Sequence, residues 1–254
     1  MDIELIKKKF KEDGYVFLPG FLSVDEIEQL NKKLENFIEN VVPGIPSTDA
    51  FYEDKNDLST LKQIMHVSDY DPGFAPLLND SKFSEIAEEL LDDKVVPRNL
   101  EYFNKPPKIG KPTPPHQDGY YFMLKPAKAV TMWMALENVD EANGCVRYVK
   151  GSHLKGMRTH GRTQTLGFSQ GIVDFGLPED MENEIAFPAK PGDLLIHDSL
   201  TIHRADGNQT ANRTRKALGF IYFGESAKED VEAKAAYQAK LQSEMKAKGD
   251  LIGE

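Results

Sequence analysis

From Val95 onward the chain is a series of short apolar runs cut apart by Pro, Gly and Asn: VVPRNLEYF, DGYYFML, AVTMWMALENV, GCVRYV, GDLLIHDS and KALGFIYF. Runs this short, with turn residues between them, indicate strands. Several in series cannot each bury an apolar face alone. They predict a sandwich or barrel in which two sheets cover one another. Upstream, YVFLPGFLSVDEIEQLNKKLENFIENVV predicts a short strand, a turn and a helix. Ser23 and Glu26 have capping-box spacing, and Ile27, Leu30, Leu34, Phe37, Ile38 and Val41 recur at helical intervals. Residues 43–60, with Pro43, Gly44 and Pro46, show no period and read as a loop. A second helix is expected near Ser81–Leu91. Ser226–Lys248, rich in Ala, Lys, Glu and Gln, reads as a mostly exposed helix. The expected fold is an all-β core with flanking helices in one domain over 1–254. Its parts are a helical N-terminal part (about 1–94), a β core (about 95–224) and a C-terminal helix (about 225–248).

Composition narrows the function. The net charge of −10 argues against nonspecific binding of nucleic acid or an anionic membrane. The single cysteine, Cys145, excludes an intramolecular disulfide and fits a reducing compartment. The N-terminal stretch MDIELIKKKFKEDG lacks the apolar segment of a secretory signal, and no apolar run approaches transmembrane length. The expectation is a cytoplasmic protein with a small-molecule partner. The sequence carries no signal of oligomeric state.

The stretch TPPHQDGYYF at 113–122 sets His116 and Asp118 two apart. On a strand both would face one way and Gln117 the other. The pair is part of a metal site or a polar strand end. His203 follows the apolar run GDLLIHDSLTI, and two histidines with one carboxylate make the facial triad of non-haem Fe(II) oxygenases. Three protein ligands on one face leave positions for a bidentate cosubstrate and O2. Arg213 and Arg215 open the next apolar run. Either could hold a carboxylate of 2-oxoglutarate bidentately, and strand parity does not separate them.

These pieces, with NKPP (104–107), HQDGYYF (116–122), MW (132–133), NGC (143–145), KGSH (150–153) and the run from GDLLIHDSLTIH to RKAL, stand in the order found in the phytanoyl-CoA dioxygenase family of Fe(II)/2-oxoglutarate oxygenases. The chain resembles that family over roughly residues 100–222, and DGYVFLPGFLS resembles its N-terminus. The resemblance implies a double-stranded β-helix, a jelly-roll or cupin-like fold. It implies His116, Asp118 and His203 as ligands of Fe(II), with 2-oxoglutarate and O2 as cosubstrates. It places the cosubstrate arginine at Arg215, with Arg213 as the fallback because the spacing from His203 is one residue long. Trp133 falls beside 2-oxoglutarate, and Glu101 and Phe103 share the parity of the family's other cosubstrate-facing positions on their strand, which makes them candidate substrate contacts.

Plainer roles compete for several residues. His197 reads as a strand-end or supporting histidine, His153 as a group bonded to its own loop, and Cys145 as a small buried residue. The segment 153–172 holds Arg158, His160, Arg162 and Gln170 among glycines at 156, 161, 167 and 171. It is either a surface loop or a mobile loop that closes over the site and meets an anionic group such as a carboxylate, phosphate or phosphonate. Tyr120, Tyr121 and Gln117, beside the candidate ligands, complete the expected substrate contacts. The expected activity is hydroxylation of an unactivated C–H in a small polar or anionic metabolite. The competing readings are another cupin-like metal enzyme that does not use 2-oxoglutarate, and a non-catalytic binding protein of the same fold.

Overall fold

The computed structural model describes residues 2–165, 168–237 and 239. The strands are β1 (Tyr15–Leu18), β2 (Ala50–Tyr52), β3 (Leu61–Ile64), β4 (Val95–Phe103), β5 (Thr113–His116), β6 (Leu124–Lys125), β7 (Ala129–Ala135), β8 (Val146–Val149), β9 (His160–Thr165), β10 (Phe168–Ile172), β11 (Glu184–Phe187), β12 (Leu194–Asp198), β13 (His203–Ala205), β14 (Ala217–Gly224) and β15 (Lys228–Glu229). The helices are α1 (Ile3–Asp13), α2 (Val24–Asn40), the single turns α3 (Val67–Tyr70) and α4 (Ala75–Leu78), α5 (Lys82–Leu91), the single turn α6 (Gly119–Phe122) and α7 (Pro178–Asn183).

A seven-stranded antiparallel sheet in the order β1-β12-β7-β14-β4-β3-β2 faces a four-stranded sheet in the order β11-β8-β13-β5. This is a double-stranded β-helix with helices packed on the outside of the larger sheet. Alternation along the strands sorts the two faces. Val130, Met132 and Met134 of β7, Leu100 and Tyr102 of β4, and Leu218, Phe220 and Tyr222 of β14 join the core beneath α1, α2 and α5. Trp133, Ala135 and Ala217 turn inward and pack with Tyr15, Val146, Tyr148 and Leu195 between the sheets. The β-helix is therefore covered on one face and hollow on the other.

The helix α2 starts as its sequence predicts. Ser23 and Glu26 form a reciprocal capping box, and Ile27, Leu30, Leu34 and Phe37 are buried. Ser81 caps α5. Four segments differ from expectation. The run DGYYFML is not a strand, because the chain turns after Gln117 and Gly119–Phe122 forms α6. Residues 43–60 contain β2, which with β3 forms a hairpin that extends the larger sheet. Their apolar residues are too few to show a period, and pairing to β4 supplies the order instead. Residues 160–172 pair as the hairpin β9–β10, with Gly161 opposite Gly171. Gly167 lies outside the described residues. The C-terminal segment first pairs β15 with β6 and is helical over 231–237. The rest of the helix expected to 248, apart from Ala239, lies outside the described residues. No helix among the described residues is long and apolar enough to cross a membrane.

Candidate active site

His116 closes β5 and sits in register with His203 at the start of β13. Their rings lie 4.1 Å apart between centroids. Asp118 is not on the strand. The chain turns after Gln117, and Asp118 has helical dihedrals as the residue that opens α6. Strand parity therefore does not account for the pairing of His116 with Asp118. A tight strand-to-helix turn brings the carboxylate back beside the imidazole.

The hydrogen bonds set which atoms face one another. His116 Nδ1 lies 2.8 Å from the Pro114 carbonyl oxygen and His203 Nδ1 lies 3.0 Å from that of Thr201. A carbonyl only accepts, so each Nδ1 carries the proton and each Nε2 presents a lone pair. Those two Nε2 atoms lie 3.4 and 3.7 Å from Asp118 Oδ1. The other carboxylate oxygen, Oδ2, accepts from Thr131 Oγ1 at 2.6 Å and lies 3.0 Å from His197 Nε2. His197 Nδ1 in turn lies 2.9 Å from the Tyr148 hydroxyl. His197 is thus turned to the back of Asp118 and aims the carboxylate.

Charge follows geometry. Burial acts to raise the Asp118 carboxyl, but the His203 ring, the His116 ring and the hydrogen bond from His197 hold it well below the usual carboxylate range. Burial, then His116 and His197, hold His203 well below its ordinary value. A neutral imidazole and an ionised carboxylate are the protonation states a divalent metal requires. Three converging lone-pair atoms within 4.8 Å of one another, each oriented by a partner behind it, fit such an ion.

The three residues open into a cavity of about 510 Å3 that Glu101, Phe103, Tyr121, Trp133 and Arg215 also line. Arg215 is 4% exposed, lies 5.4 Å over the Trp133 ring, and has no acidic partner among the described residues. Its Nε is buried without a hydrogen-bond partner among them. Burial pushes the guanidinium down to about 10. Arg213 is exposed and bidentate to Asp140 at 2.8 and 2.9 Å, away from the cavity lining. Parity failed to separate the two because the strand begins only at Ala217.

Several expected substrate contacts lie elsewhere. Gln117 is fully buried. Its Nε2 donates to the carbonyls of Gly156 and Leu200, and its Oε1 accepts from Arg158 N. It anchors the turn and does not line the cavity. Arg158 is bidentate to Asp180 at 2.7 and 2.9 Å and pairs with Asp174. Both ring nitrogens of His160 are engaged, by Gln117 N at 3.1 Å and the Arg158 carbonyl at 2.9 Å. Tyr120 stacks on His160 at 4.3 Å and is likewise outside the lining. The Arg158 charge is met by Asp174 and Asp180, which follow the segment in the chain. Only Tyr121 of that group faces the cavity, and its hydroxyl donates to the Gln170 carbonyl. His153 reaches the Lys11 carbonyl of α1, not its own loop. Cys145 is buried.

Thr131 lines the cavity, as the face it shares with Trp133 implies, whereas other lining residues were not expected. Tyr148, Gln63 and Asn99 carry no comparable signal, and β3 was not recognised as a strand.

Fold and geometry together define a double-stranded β-helix protein with a two-histidine, one-carboxylate face inside. The sequence matches the family model for phytanoyl-CoA dioxygenase (PhyH) over residues 10–217. The chain belongs to that family. It is 27% identical over 257 residues to the Danio rerio phytanoyl-CoA dioxygenase domain-containing protein 1, covering 84% of this chain and 87% of that one. It is 29% identical over 234 residues to Arabidopsis thaliana phytanoyl-CoA dioxygenase, covering 78% and 81%. To peroxisomal phytanoyl-CoA dioxygenase of Mus musculus it is 26% identical over 265 residues, covering 94% and 73%. Among solved structures it is similar to EctD from S. alaskensis with 2-oxoglutarate and 5-hydroxyectoine (TM-score 0.72, 22% identity, 87% of this chain and 75% of that one). It is also similar to the non-heme α-ketoglutarate dependent carbocyclase SnoK from nogalamycin biosynthesis (TM-score 0.70, 24% identity, 89% and 85%). At these identities the structural likeness establishes the fold.

Proposed function

We propose that this chain is an Fe(II)/2-oxoglutarate-dependent oxygenase that hydroxylates an unactivated C–H of a small polar metabolite. The observation that carries the reading is the pairing, in one cavity, of the His116–Asp118–His203 face with the buried guanidinium of Arg215, which has no acidic partner among the described residues. His116 Nε2, Asp118 Oδ1 and His203 Nε2 would hold Fe(II). Bound there, iron would supply the oxygen-activating chemistry that couples 2-oxoglutarate decarboxylation to substrate oxidation.

The protein's own residues do the positioning. Arg215 neutralises the distal carboxylate of 2-oxoglutarate in a dry site, and the Trp133 ring supports that guanidinium. Thr131 and His197 keep Asp118 Oδ2 occupied, so Oδ1 alone faces inward. Phe103 lies across Gly219, where a Cβ would meet the ring at 2.6 Å, and walls the cosubstrate end. A metal enzyme that did not use 2-oxoglutarate would have no use for an unpaired buried arginine. We place the protein, as one domain, in the reducing cytoplasm that its lone buried cysteine suits, although the mouse relative is named as peroxisomal.

The test is succinate release from 2-oxoglutarate with Fe(II), scored over a panel of candidate metabolites. SnoK, named as a carbocyclase, is a reminder that the bond altered in the substrate varies. Succinate reports cosubstrate use whatever that bond is. Substrate-dependent succinate that R215M abolishes supports the reading. Substrate conversion without 2-oxoglutarate consumption points to the other metal enzyme, and metal binding without turnover of any metabolite points to a binding protein.

A further inference from the structure

The cavity contains a second uncompensated charge. Glu101, on β4, is 6% exposed, and no cation among the described residues pairs with it. Its neighbours are two amides. Asn99 Nδ2 donates to Oε1 at 2.6 Å, and Gln63 Nε2 donates to Oε2 at 3.2 Å. Asn99 is held from behind, because the backbone N–H of His66 donates to its Oδ1 at 3.0 Å. Gln63 Nε2 also meets the Met65 sulfur at 3.1 Å. That leaves Gln63 Oε1 buried without a hydrogen-bond partner among the described residues. All three side chains line the cavity.

The chemistry of this cluster is one-sided. Each Glu101 oxygen keeps a lone pair after accepting one amide, and Gln63 Oε1 keeps both of its own. Three acceptor atoms therefore converge on one stretch of wall with lone pairs to spare and, among the described residues, no counter-charge. An anionic ligand there would be repelled. An apolar ligand would leave a buried carboxylate and an amide oxygen dry and unpaired. A cationic N–H group satisfies both. Burial and the Asp118 carboxylate, opposed by the Gln63 hydrogen bond, push the Glu101 carboxyl up to about 7.

Along the strands the cluster and Arg215 are offset, with Gly219 and Trp133 between them. Glu101 pairs with Gly219 across β14, whereas Arg215 precedes that strand, beyond the Ala217–Phe103 pair. The cavity thus offers a cation for one ligand and an anion for another. Resting on the oxygenase reading above, we propose that Gln63, Asn99 and Glu101 form the substrate-recognition cluster, and that the substrate carries an ammonium or amidinium nitrogen seated against Glu101 and Gln63 Oε1. The β2–β3 hairpin then has a functional role: it brings Gln63 to the site.

The test uses three probes of one chain length that differ only in head group: n-butylammonium, 1-butanol and butyrate. Their binding to the anaerobic protein holding Fe(II) and 2-oxoglutarate is titrated by NMR at about pH 8, where Glu101 is ionised and the amine protonated. The wild type is expected to bind n-butylammonium about tenfold or more tightly than the other two. Glu101→Gln should erase that preference, and Gln63→Met should reduce it, with 2-oxoglutarate affinity unchanged in both variants. Equal binding of the three probes by the wild type, or a preference that survives in Glu101→Gln and Gln63→Met alike, overturns the proposal. Loss of 2-oxoglutarate binding by the wild type would instead overturn the oxygenase reading. The probe preference, read on the same protein, would still decide the recognition cluster.

Discussion

Replacing Arg215 by methionine should move stability and cosubstrate binding in opposite directions. The guanidinium is buried, has no acidic partner among the described residues, and is pushed by burial from 12.5 to about 10. At about 1.4 kcal/mol per pH unit this is about 3 kcal/mol of unrecovered desolvation. A base whose folded value is depressed is destabilising at every pH below that value, so the whole cost is present at neutral pH. Methionine keeps most of the stem's packing against Trp133 and removes the charge. The ligand-free R215M protein should therefore be more stable by about 1–3 kcal/mol in urea unfolding, the lower figure allowing for the lost cation–π contact. Its 2-oxoglutarate affinity should fall by about 2–5 kcal/mol, or tens- to thousands-fold, in calorimetry with a divalent metal present. Arg213 serves as the control. It is an exposed ion pair with Asp140, so R213M should change stability by less than about 1 kcal/mol and leave 2-oxoglutarate binding alone. An R215M protein that binds 2-oxoglutarate as the wild type does, or an R213M protein that does not, would refute the reasoning.

Three further perturbations probe the neighbouring groups. Glu101 sits at about 7 because it is buried, so wild-type stability should be full below about pH 4.5 and decline as pH rises through 7, whereas E101Q lacks this titration. The stability gap in favour of E101Q should widen by up to about 3 kcal/mol between pH 4.5 and 8, and a gap that does not change with pH would contradict it. H197A removes one of two partners from Asp118 Oδ2, so Co(II) affinity should fall about 10- to 100-fold, much less than in H203A. R158A strands the buried Asp180 and should cost about 2–3 kcal/mol of stability with no change in substrate KM; a raised KM at unchanged stability would return Arg158 to the substrate site.

Much of this architecture is written in local pattern. The strand runs after Val95, the capping box at Ser23 and the helical spacing that follows are short-range signals, and the fold obeys them except at DGYYFML, where Gly119–Phe122 forms α6. His116, Asp118 and His203 do come together, but Asp118 reaches its place through a turn whose geometry depends on buried Gln117 bonding to Gly156 and Leu200. Such tertiary hydrogen bonds have no trace in residue spacing. The misjudged basic segment shows the same limit. Arg158 and His160 look available until Asp174, Asp180 and the Gln117 backbone are folded against them. Glu101 was picked out by parity, yet its meaning depends on Gln63 from a strand that the sequence does not announce.

The central claim is that one cavity holds Fe(II) on the His116–Asp118–His203 face and 2-oxoglutarate between that metal and Arg215. Anaerobic calorimetry of both ligands tests it most directly. One Fe(II) and one 2-oxoglutarate are expected per chain, with cosubstrate affinity that rises when the metal is bound and collapses in both H203A and R215M. Cosubstrate binding that ignores the metal and survives in H203A would contradict it.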